Sequence, residues 1–372
     1  MQKLRLLADD LTGALDTSAE LVGVFGPLCV SWQTDSAPAM QESFVIDSGT
    51  RERDNAQAFA IVTRLAPLLR DATIAYKKVD SLLRGPWIAE LDACLRTGFW
   101  DACILAPAFA YQGRRTRAGQ QYARTSDGRW DPVGDNMLHQ LRDYGIEARP
   151  GDAGAELPRG ISVFDAETDA DLDHIVRIGR RCGGRVLWSG SGGLASALAR
   201  GTQVSAPRKL IAPVLGVFGS DHPATAAQLA VCDDVVVRDA ADHEADPAQI
   251  RRRLAQGVAL IRLEAPPAFS RAEAAQRFAQ RIASLSQAID PPGTLIVAGG
   301  ETLKAQCLAV GAHALKVTGR LEPGLPRSVI QGGAWAGIDV LSKSGAFGPP
   351  DLWWTLLNDN GLIQNGLIQE RP

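Results

Sequence analysis

Ile296-Val297-Ala298-Gly299-Gly300-Glu301-Thr302 is the stretch whose reading decides the fold. An apolar run stops at two glycines, an acid and a threonine, and a helical pattern follows from Leu303 to Gly311. This is the pattern of a strand ending in a tight turn that opens a helix. Glycines there let the backbone come close to a ligand, and the free N–H groups of a helix start favour an anion, usually a phosphate. By itself the motif has little specificity, because many helices begin this way with nothing bound. Its weight comes from recurrence. Similar turns stand at Gly219-Ser220, at Gly190-Ser191-Gly192-Gly193 and at Ser344-Gly345-Ala346-Phe347-Gly348.

Outward from these turns, short apolar runs alternate with amphipathic stretches. Leu4–Ala8, Leu28–Trp32, Phe44–Asp47, Ile74–Val79, Cys103–Ala106, Ile161–Phe164 and Val186–Trp188 are strand-like. Gly13–Val24, Asp54–Leu69, Trp87–Leu95 and Ala170–Arg181 are helix-like. After Leu198 the segment from Gly201 to Pro213 is polar and without period, as linkers are. A second series of strands follows at Val214–Phe218, Asp234–Arg238, Ala259–Leu263, Thr294–Ala298 and Ile338–Leu341. The expectation is an α/β protein of two three-layer domains, residues 1–205 and 210–372, each with a mostly parallel sheet. Ligands of such sheets sit outside the carboxyl ends of the strands. The active site is expected in the cleft between the domains. Tyr111–Pro132 is rich in Arg and Gly, lacks a clear period, and is expected to be a long functional loop.

Composition narrows the function classes. The chain has 372 residues, long for one core, with 45% hydrophobic and 22% charged residues and a formal net charge of -3. That charge gives no global pull toward nucleic acid or a membrane surface. No apolar run approaches the roughly 20 residues of a membrane span. Six cysteines (Cys29, Cys94, Cys103, Cys182, Cys232, Cys307) are scattered without paired spacing, which predicts reduced, mostly buried thiols, a cytoplasmic location and no zinc site.

Several strand ends in the first half carry charge. The first strand runs into Asp9-Asp10-Leu11-Thr12-Gly13. One acid is expected to cap the helix that starts near Thr12. The other would bind a hydroxyl or act as a general base within hydrogen-bond reach of its proton. Lys77-Lys78-Val79-Asp80-Ser81-Leu82-Leu83-Arg84-Gly85-Pro86, Asp47-Ser48-Gly49-Thr50-Arg51 and the loop holding Gly113-Arg114 are three more such ends. Any one could be an ordinary cap or surface salt bridge. Four together suit a small polyhydroxylated anion, with acids accepting from hydroxyls and a guanidinium gripping a carboxylate. In the second half, Ser220-Asp221-His222-Pro223 begins a helix, with His222 more a capping or solvent-facing residue than a catalytic one. Lys343 precedes a glycine-bearing loop and is placed to meet phosphate. The chain has no Gly-Lys-Ser/Thr Walker ending and no full dinucleotide fingerprint.

Taken together, these motifs resemble those of the four-carbon acid sugar kinases. The matching pieces are Asp9 to Ala14, Asp47 with Arg51, Lys78 to Gly85 and Ala106 to Arg114. They continue with Gly190 to Ala195, Gly219-Ser220 before Thr225-x-x-Gln228, Gly299 to Thr302, Pro323 to Pro326 and Lys343 to Gly348. The series covers nearly the whole chain, so the joint match is specific. It departs from the usual pattern at Leu82, Ala110, Asp221-His222 and Ala346, where Thr, Pro, a pair such as Cys-Ser, and Gly are common. The resemblance implies an N-terminal sugar-binding domain and a C-terminal nucleotide-binding domain. It implies transfer of a phosphoryl group from ATP to the terminal hydroxyl of a threonate-, erythronate- or 3-oxo-tetronate-type acid. On this basis Asp10, Asp80 and Arg84 are the catalytic candidates, with the base either Asp10 or Asp80. Asp9, Asp47, Arg51, Lys78, Ser81 and Arg114 are the substrate-binding candidates, Arg51 and Arg114 as carboxylate grips. Ser220, His222, Gly299, Gly300, Glu301, Thr302, Lys343, Gly345 and Gly348 are those for the nucleotide. Mg2+ would arrive on the ATP phosphates with few protein ligands, which the sequence does not identify. The partners are then a small sugar acid and ATP, with no nucleic acid and no membrane, and with room for a homodimer. Two rival readings are a sugar-acid-binding protein with a degenerate nucleotide site, on the strength of Leu82 and Ala346, and an NAD(P)-linked oxidoreductase.

Overall fold

A computed structural model describes residues 2–33, 43–125, 127–152, 154 and 156–363. The chain divides into two compact units, Met1–Val204 with Val317–Gly319, and Ser205–Lys316 with Arg320–Pro372. No helix among the described residues is long and apolar enough to cross a membrane.

The first unit runs β1 (Leu4–Ala8), α1 (Leu11–Phe25), β2 (Leu28–Ser31), β3 (Phe44–Asp47), α2 (Asn55–Leu65), β4 (Ile74–Lys78), α3 (Trp87–Leu95) and β5 (Ala102–Ala106). It continues with β6 (Arg114–Arg117), β7 (Gln120–Arg124), β8 (Trp130–Val133), α4 (Met137–Asp143), β9 (Ala148–Pro150), β10 (Gly160–Val163), α5 (Asp169–Arg181), β11 (Val186–Gly190) and α6 (Gly192–Leu198). Its main sheet has the order β2-β3-β1-β4-β11-β5-β10-β9, and all neighbours in it pair in parallel. A parallel sheet is covered on both faces, so its strands are apolar throughout rather than alternating. β1 and β5 are buried at every position. Helix α1 packs on α6 and α6 on α5, while α2 packs on α3. The α2–α3 group closes a core of Val62, Leu65, Trp87, Leu91, Met137 and Leu141 against Leu7, Ile46, Ala75 and Cys103.

The segment Tyr111–Pro132, expected to be a loop, contains most of a second, antiparallel sheet, β6-β7-β8. Its arginines hide the alternation of strands. The Arg115 guanidinium carbon lies over the rings of Trp130 (4.2 Å to the centroid) and Tyr122 (5.7 Å) and the side chain pairs with Glu167 at 2.8 Å, so a charged residue takes the place of an apolar one.

The second unit runs β12 (Val214–Phe218), α7 (Pro223–Ala230), β13 (Val236–Asp239), α8 (Pro247–Ala255), β14 (Val258–Leu263), α9 (Arg271–Ala288), β15 (Thr294–Ala298), α10 (Gly300–Ala309), β16 (Ala314–Glu322), β17 (Leu325–Gln331), β18 (Asp339–Lys343) and α11 (Leu352–Asp359). The order β13-β14-β12-β15-β18 is parallel, and β17 joins β18 antiparallel. Val214 and Phe218 face a core with Leu229 of α7 and Trp353, Leu356 and Leu357 of α11. Leu215 and Val217 face Ile282 and Leu285 of α9 on the other side. The expected linker Gly201–Pro213 is strapped down in its latter part. Arg327 donates to the carbonyls of Pro207 and Lys209, Asn360 holds Arg208 and Leu210, and Thr294 accepts from Ile211. The six thiols are free and mostly buried, as expected. Cys94, Cys103, Cys232 and Cys307 are buried, but Cys29 is exposed and Cys182 half-buried.

Candidate functional site

The carboxyl ends of β1, β3 and β4 lie side by side, with Ala8 opposite Asp47 and Leu7 opposite Lys77. The residues that follow these ends therefore gather at one edge, where open parallel sheets take their ligands. Arg51 is the centre. Its guanidinium grips Asp9 with two bonds, one to Oδ2 from Nε and one of 2.9 Å to Oδ1. It also donates to Asp10 Oδ1 at 2.9 Å and lies 3.4 Å from Asp80 Oδ1. The backbone N–H of Arg51 adds a bond of 3.1 Å to the Asp9 carbonyl. Arg84 holds Asp80 by a second two-pronged pair, 2.8 and 2.9 Å.

These contacts separate the three acids. Asp10 is the N-cap of α1 and accepts from Gly13 N at 3.1 Å, so the capping and the chemical roles fall on one residue. Its Oδ2 has no hydrogen-bond partner among the described residues, and its side chain keeps 27% of its surface exposed. Burial, with Asp9 and Asp80 nearby, raises the Asp10 carboxyl to about 6 against the pull of Arg51. Burial also works on Asp9 and Asp80, but there the arginines win. Arg51 holds Asp9 below the usual carboxylate range, and Arg84 with Arg51 holds Asp80 well below it. Asp80 also orders its own loop, accepting from Leu82 N at 3.1 Å and Arg84 N at 3.3 Å. The Leu82 position thus contributes a backbone N–H, which any residue but proline supplies.

Glycines give the acids room. A Cβ at Gly13 would press on Asp10 and stand 3.1 Å from Lys78 Nζ. Gly85, at φ 79°, lies against Arg51, where a Cβ would stand only 3.0 Å from the Arg51 carbonyl oxygen. Lys78 is buried and donates to the Val79 carbonyl at 2.9 Å. Arg114, at the start of β6, donates to the Gln112 carbonyl, while its buried Nε has no partner among the described residues. Burial lowers the Arg114 guanidinium, and the charges of Asp80 and Arg84 are felt there. Asp47 is buried and accepts from Gly49 N at 2.9 Å, which shapes the turn toward Arg51. Ser81 is half-buried, and its carbonyl accepts from Gln121 at 2.8 Å. One expectation changes. Arg51, taken as a carboxylate grip, is engaged by three acids of its own site, whereas Arg114 forms no hydrogen bond or ion pair with them among the described residues.

Four residues beneath the site had no role assigned from the sequence. Lys77 and Glu90 form a fully buried ion pair of 2.7 Å. Glu90 accepts from Thr50, and Thr50 meets Ser48 at 2.7 Å. The pair bolts α3 to β4 directly behind the turn that carries Arg51. Burial raises the Glu90 carboxyl despite Lys77, and Glu90 with Asp9 raises Lys77 despite its burial. The only advance signal was Lys77-Lys78 itself, since neighbouring strand residues face opposite ways.

In the second unit, β12, β15 and β18 end in adjacent register, with Phe218 opposite Ala298 and Ala298 opposite Lys343. Gly299 takes φ 105° and caps α10 without a side chain. Gly300 and Glu301 open that helix, and Thr302 is buried against Gly219. Glu301 is exposed and pairs with Arg271 at 3.3 Å. His222 is exposed and caps α7 by accepting from Ala224 N at 3.2 Å. Ser220 packs on Gly345 so closely that a Cβ there would collide with it. Gly348 has φ 90°. Ala346 is exposed and has no left-handed backbone, so its methyl group replaces a glycine without strain. Lys343 is buried and, among the described residues, donates only to the carbonyls of Ser344 (3.1 Å) and Gly345 (3.3 Å); burial lowers it to about 7. Thr225 and Gln228 of α7 also reach this loop, a role that sequence alone did not assign. The Gly190–Gly193 turn is different. A Cβ at Gly190 or Gly193 would press on the carbonyls of Ala106 or Ala108, so close packing accounts for its glycines.

No group of three or more His, Cys, Asp or Glu side chains suited to a metal occurs among the described residues. Sequence models of two domains match the chain, a sugar-binding N-terminal domain over residues 4–141 and a nucleotide-binding C-terminal domain over residues 215–352. A D-threonate kinase of Bordetella bronchiseptica is 31% identical, over 93% of this chain and 95% of that one. A D-threonate kinase of Cupriavidus necator is 30% identical, over 94% and 96%. A 3-oxo-tetronate kinase of Pseudomonas fluorescens is 25% identical, over 94% and 95%. Among solved structures, a Salmonella typhimurium protein described as a putative tRNA synthase matches with TM-score 0.73 at 20% identity, covering 96% of this chain and all (100%) of that one. A Haemophilus influenzae protein matches with TM-score 0.69 at 19% identity and the same coverage, 96% and 100%. At such identity the two structures speak for the fold alone. The matches of both domains and the near-complete alignment to these kinases lead to one conclusion: the chain belongs to the four-carbon acid sugar kinase family.

Proposed function

We propose that this enzyme transfers the terminal phosphoryl group of ATP to the terminal hydroxyl of a four-carbon sugar acid of the threonate, erythronate or 3-oxo-tetronate type. The observation that carries the reading is the division of labour among Asp9, Asp10 and Asp80. Two acids are locked by arginines, and one keeps an open oxygen and a raised pKa near 6. Asp10 is then the base, ionised at neutral pH and able to accept the proton of the attacking hydroxyl. Asp80, with both oxygens engaged by Arg84 and Arg51 beside it, is a poor proton acceptor and serves as an anchor. Lys78, Arg51, Arg84 and Arg114 gather around Asp9, Asp10 and Asp80, a set of cations that suits an anionic substrate. Arg114 is the natural grip for its carboxylate, because its Nε is unspent.

The three glycine-bearing turns of the second unit and Lys343 suit the phosphates of the nucleotide. Mg2+ would fit as an ion held by phosphate oxygens and water. The nearest carboxylate by motif, Glu301, is exposed and paired with Arg271, so the protein itself offers it few ligands. The ion would neutralise charge on the phosphates. The chain's own residues orient the hydroxyl, accept its proton and hold the phosphate chain in line. The kinships of 31%, 30% and 25% to D-threonate and 3-oxo-tetronate kinases support the substrate class. The test is a screen of four-carbon aldonic acids with ATP, the phosphorylated carbon being identified by phosphorus-coupled NMR. Phosphorylation at a carbon other than the terminal one, or turnover of none of these acids, would overturn the reading.

A further inference from the structure

We infer that Thr225 and Gln228 are positioning residues that turn the peptide planes of the loop after β18 so that the N–H groups of Gly345, Ala346 and Gly348 form a phosphate-binding nest. The inference rests on the nucleotide reading above and assigns the part of the loop that meets the phosphates. The loop's carbonyls are held from the protein side. Thr225 Oγ1 donates to Gly345 O at 2.8 Å, and Lys343 Nζ donates to Ser344 O and Gly345 O. The buried amide of Gln228 donates to three more, Phe347 O at 3.0 Å, Gly348 O at 3.1 Å and Pro349 O at 3.0 Å. Thr225 and Gln228 stand three residues apart on α7, and so face the loop together.

A trans peptide points its N–H away from its C=O. Drawing in the carbonyls of Ser344, Gly345 and Phe347 therefore aims the N–H groups of Gly345, Ala346 and Gly348 outward. None of these three has an acceptor among the described residues, whereas Phe347 N donates to Ser344 O at 3.1 Å. The next two residues, Pro349 and Pro350, have no N–H to lose. Successive outward N–H groups make an anion-binding concavity. Three acceptors also dictate which way the Gln228 amide lies, and its own Oε1 is left buried without a partner. A side chain kept in place at that cost serves its NH2 group.

The experiment compares wild type with Thr225→Val, Thr225→Ser and Gln228→Leu. Amide NMR and calorimetry follow ADP binding, steady-state kinetics give the two KM values, and thermal melts monitor folding. In wild type, the amide signals of Gly345, Ala346 and Gly348 should shift on adding ADP. Thr225→Val and Gln228→Leu should raise the ADP Kd and the ATP KM by on the order of 10- to 100-fold, with the KM of the sugar acid unchanged. Thr225→Ser keeps the hydroxyl and should keep wild-type affinity. If wild type binds ADP while those three amides stay still, or if the folded Val and Leu variants bind ADP as wild type does, the positioning role is wrong. Absence of any ADP binding by wild type would instead overturn the nucleotide reading on which it rests.

Discussion

Asp10 combines a helix cap with an open carboxylate oxygen, and the two roles can be separated by one atom. Asn caps helices as well as Asp does but cannot take a proton at neutral pH. Asp10→Asn should therefore lower kcat by about 10²- to 10⁴-fold while leaving the melting temperature nearly unchanged. In wild type, kcat/KM for the acid should rise with pH and level off above an apparent pKa near 6, because the base works only when ionised. A pH profile without that limb would point away from Asp10. Arg84 tests a different property. Its pair with Asp80 is 63% exposed on the Arg side, so it adds only about 0–1 kcal/mol to stability. Its value lies in the planar fork, which holds both Asp80 oxygens and which Lys lacks. Arg84→Lys should be nearly as damaging to kcat/KM as Arg84→Ala, with melts and ATP binding little changed in both. Wild-type kcat/KM in Arg84→Lys would reduce Arg84 to a surface salt bridge. At this scale the sequence was informative about which residues gather, because charge at strand ends is rare enough to stand out. It was silent on how they pair. That Arg51 is occupied by three acids, and that Arg84 holds both oxygens of Asp80, depends on side-chain directions that only the fold supplies.

Elements carry the next tests. The Lys77–Glu90 pair joins β4 to α3 and is buried on both sides. Removing one charge leaves the other buried and uncompensated, so Glu90→Gln should cost about 3–5 kcal/mol in denaturant unfolding. A loss below 1 kcal/mol would mean that water reaches the pair. Strand β18 presents the converse case, a buried Lys343 beside carbonyls alone. Its folded pKa, about 7, lies below the ordinary lysine value, and bound phosphate would raise it. Between those two values nucleotide binding takes up protons. Calorimetry of ADP binding at pH 8 in buffers of different ionisation heat should show uptake of up to about one proton, fading toward pH 6. No difference between buffers would place Lys343 away from the phosphates. The apolar strands β1, β3, β4, β5, β12, β14 and β15 were legible as short runs between breakers. β6 to β8 were not, because arginine stacked on aromatic rings imitates a polar loop. β16 and β17 were also passed over as strands.

At the scale of the whole chain, each unit has its own chemistry. The acids and arginines belong to the first, and the glycine turns to the second. A bulky residue at Gly300, such as Val, should block close approach of the phosphates and raise the ATP KM or abolish ATP binding. Binding of the sugar acid, followed by calorimetry, should remain. Equal ATP affinity in a folded Gly300→Val protein would make that turn purely structural. The parallel strand β11 has another consequence, which concerns synthesis rather than catalysis. Leu187 pairs with Ala75 on one side and Cys103 on the other, so the last strand of the unit's sheet lies between two much earlier ones. Contacts so distant in sequence close large loops before they gain any burial, which slows folding. A ribosome that has made β4 and β5 but not β11 leaves two apolar edges facing each other across an empty slot. Nascent chains of this enzyme should therefore lean on chaperones until residue 190 has emerged, and fragments ending before β11 should aggregate.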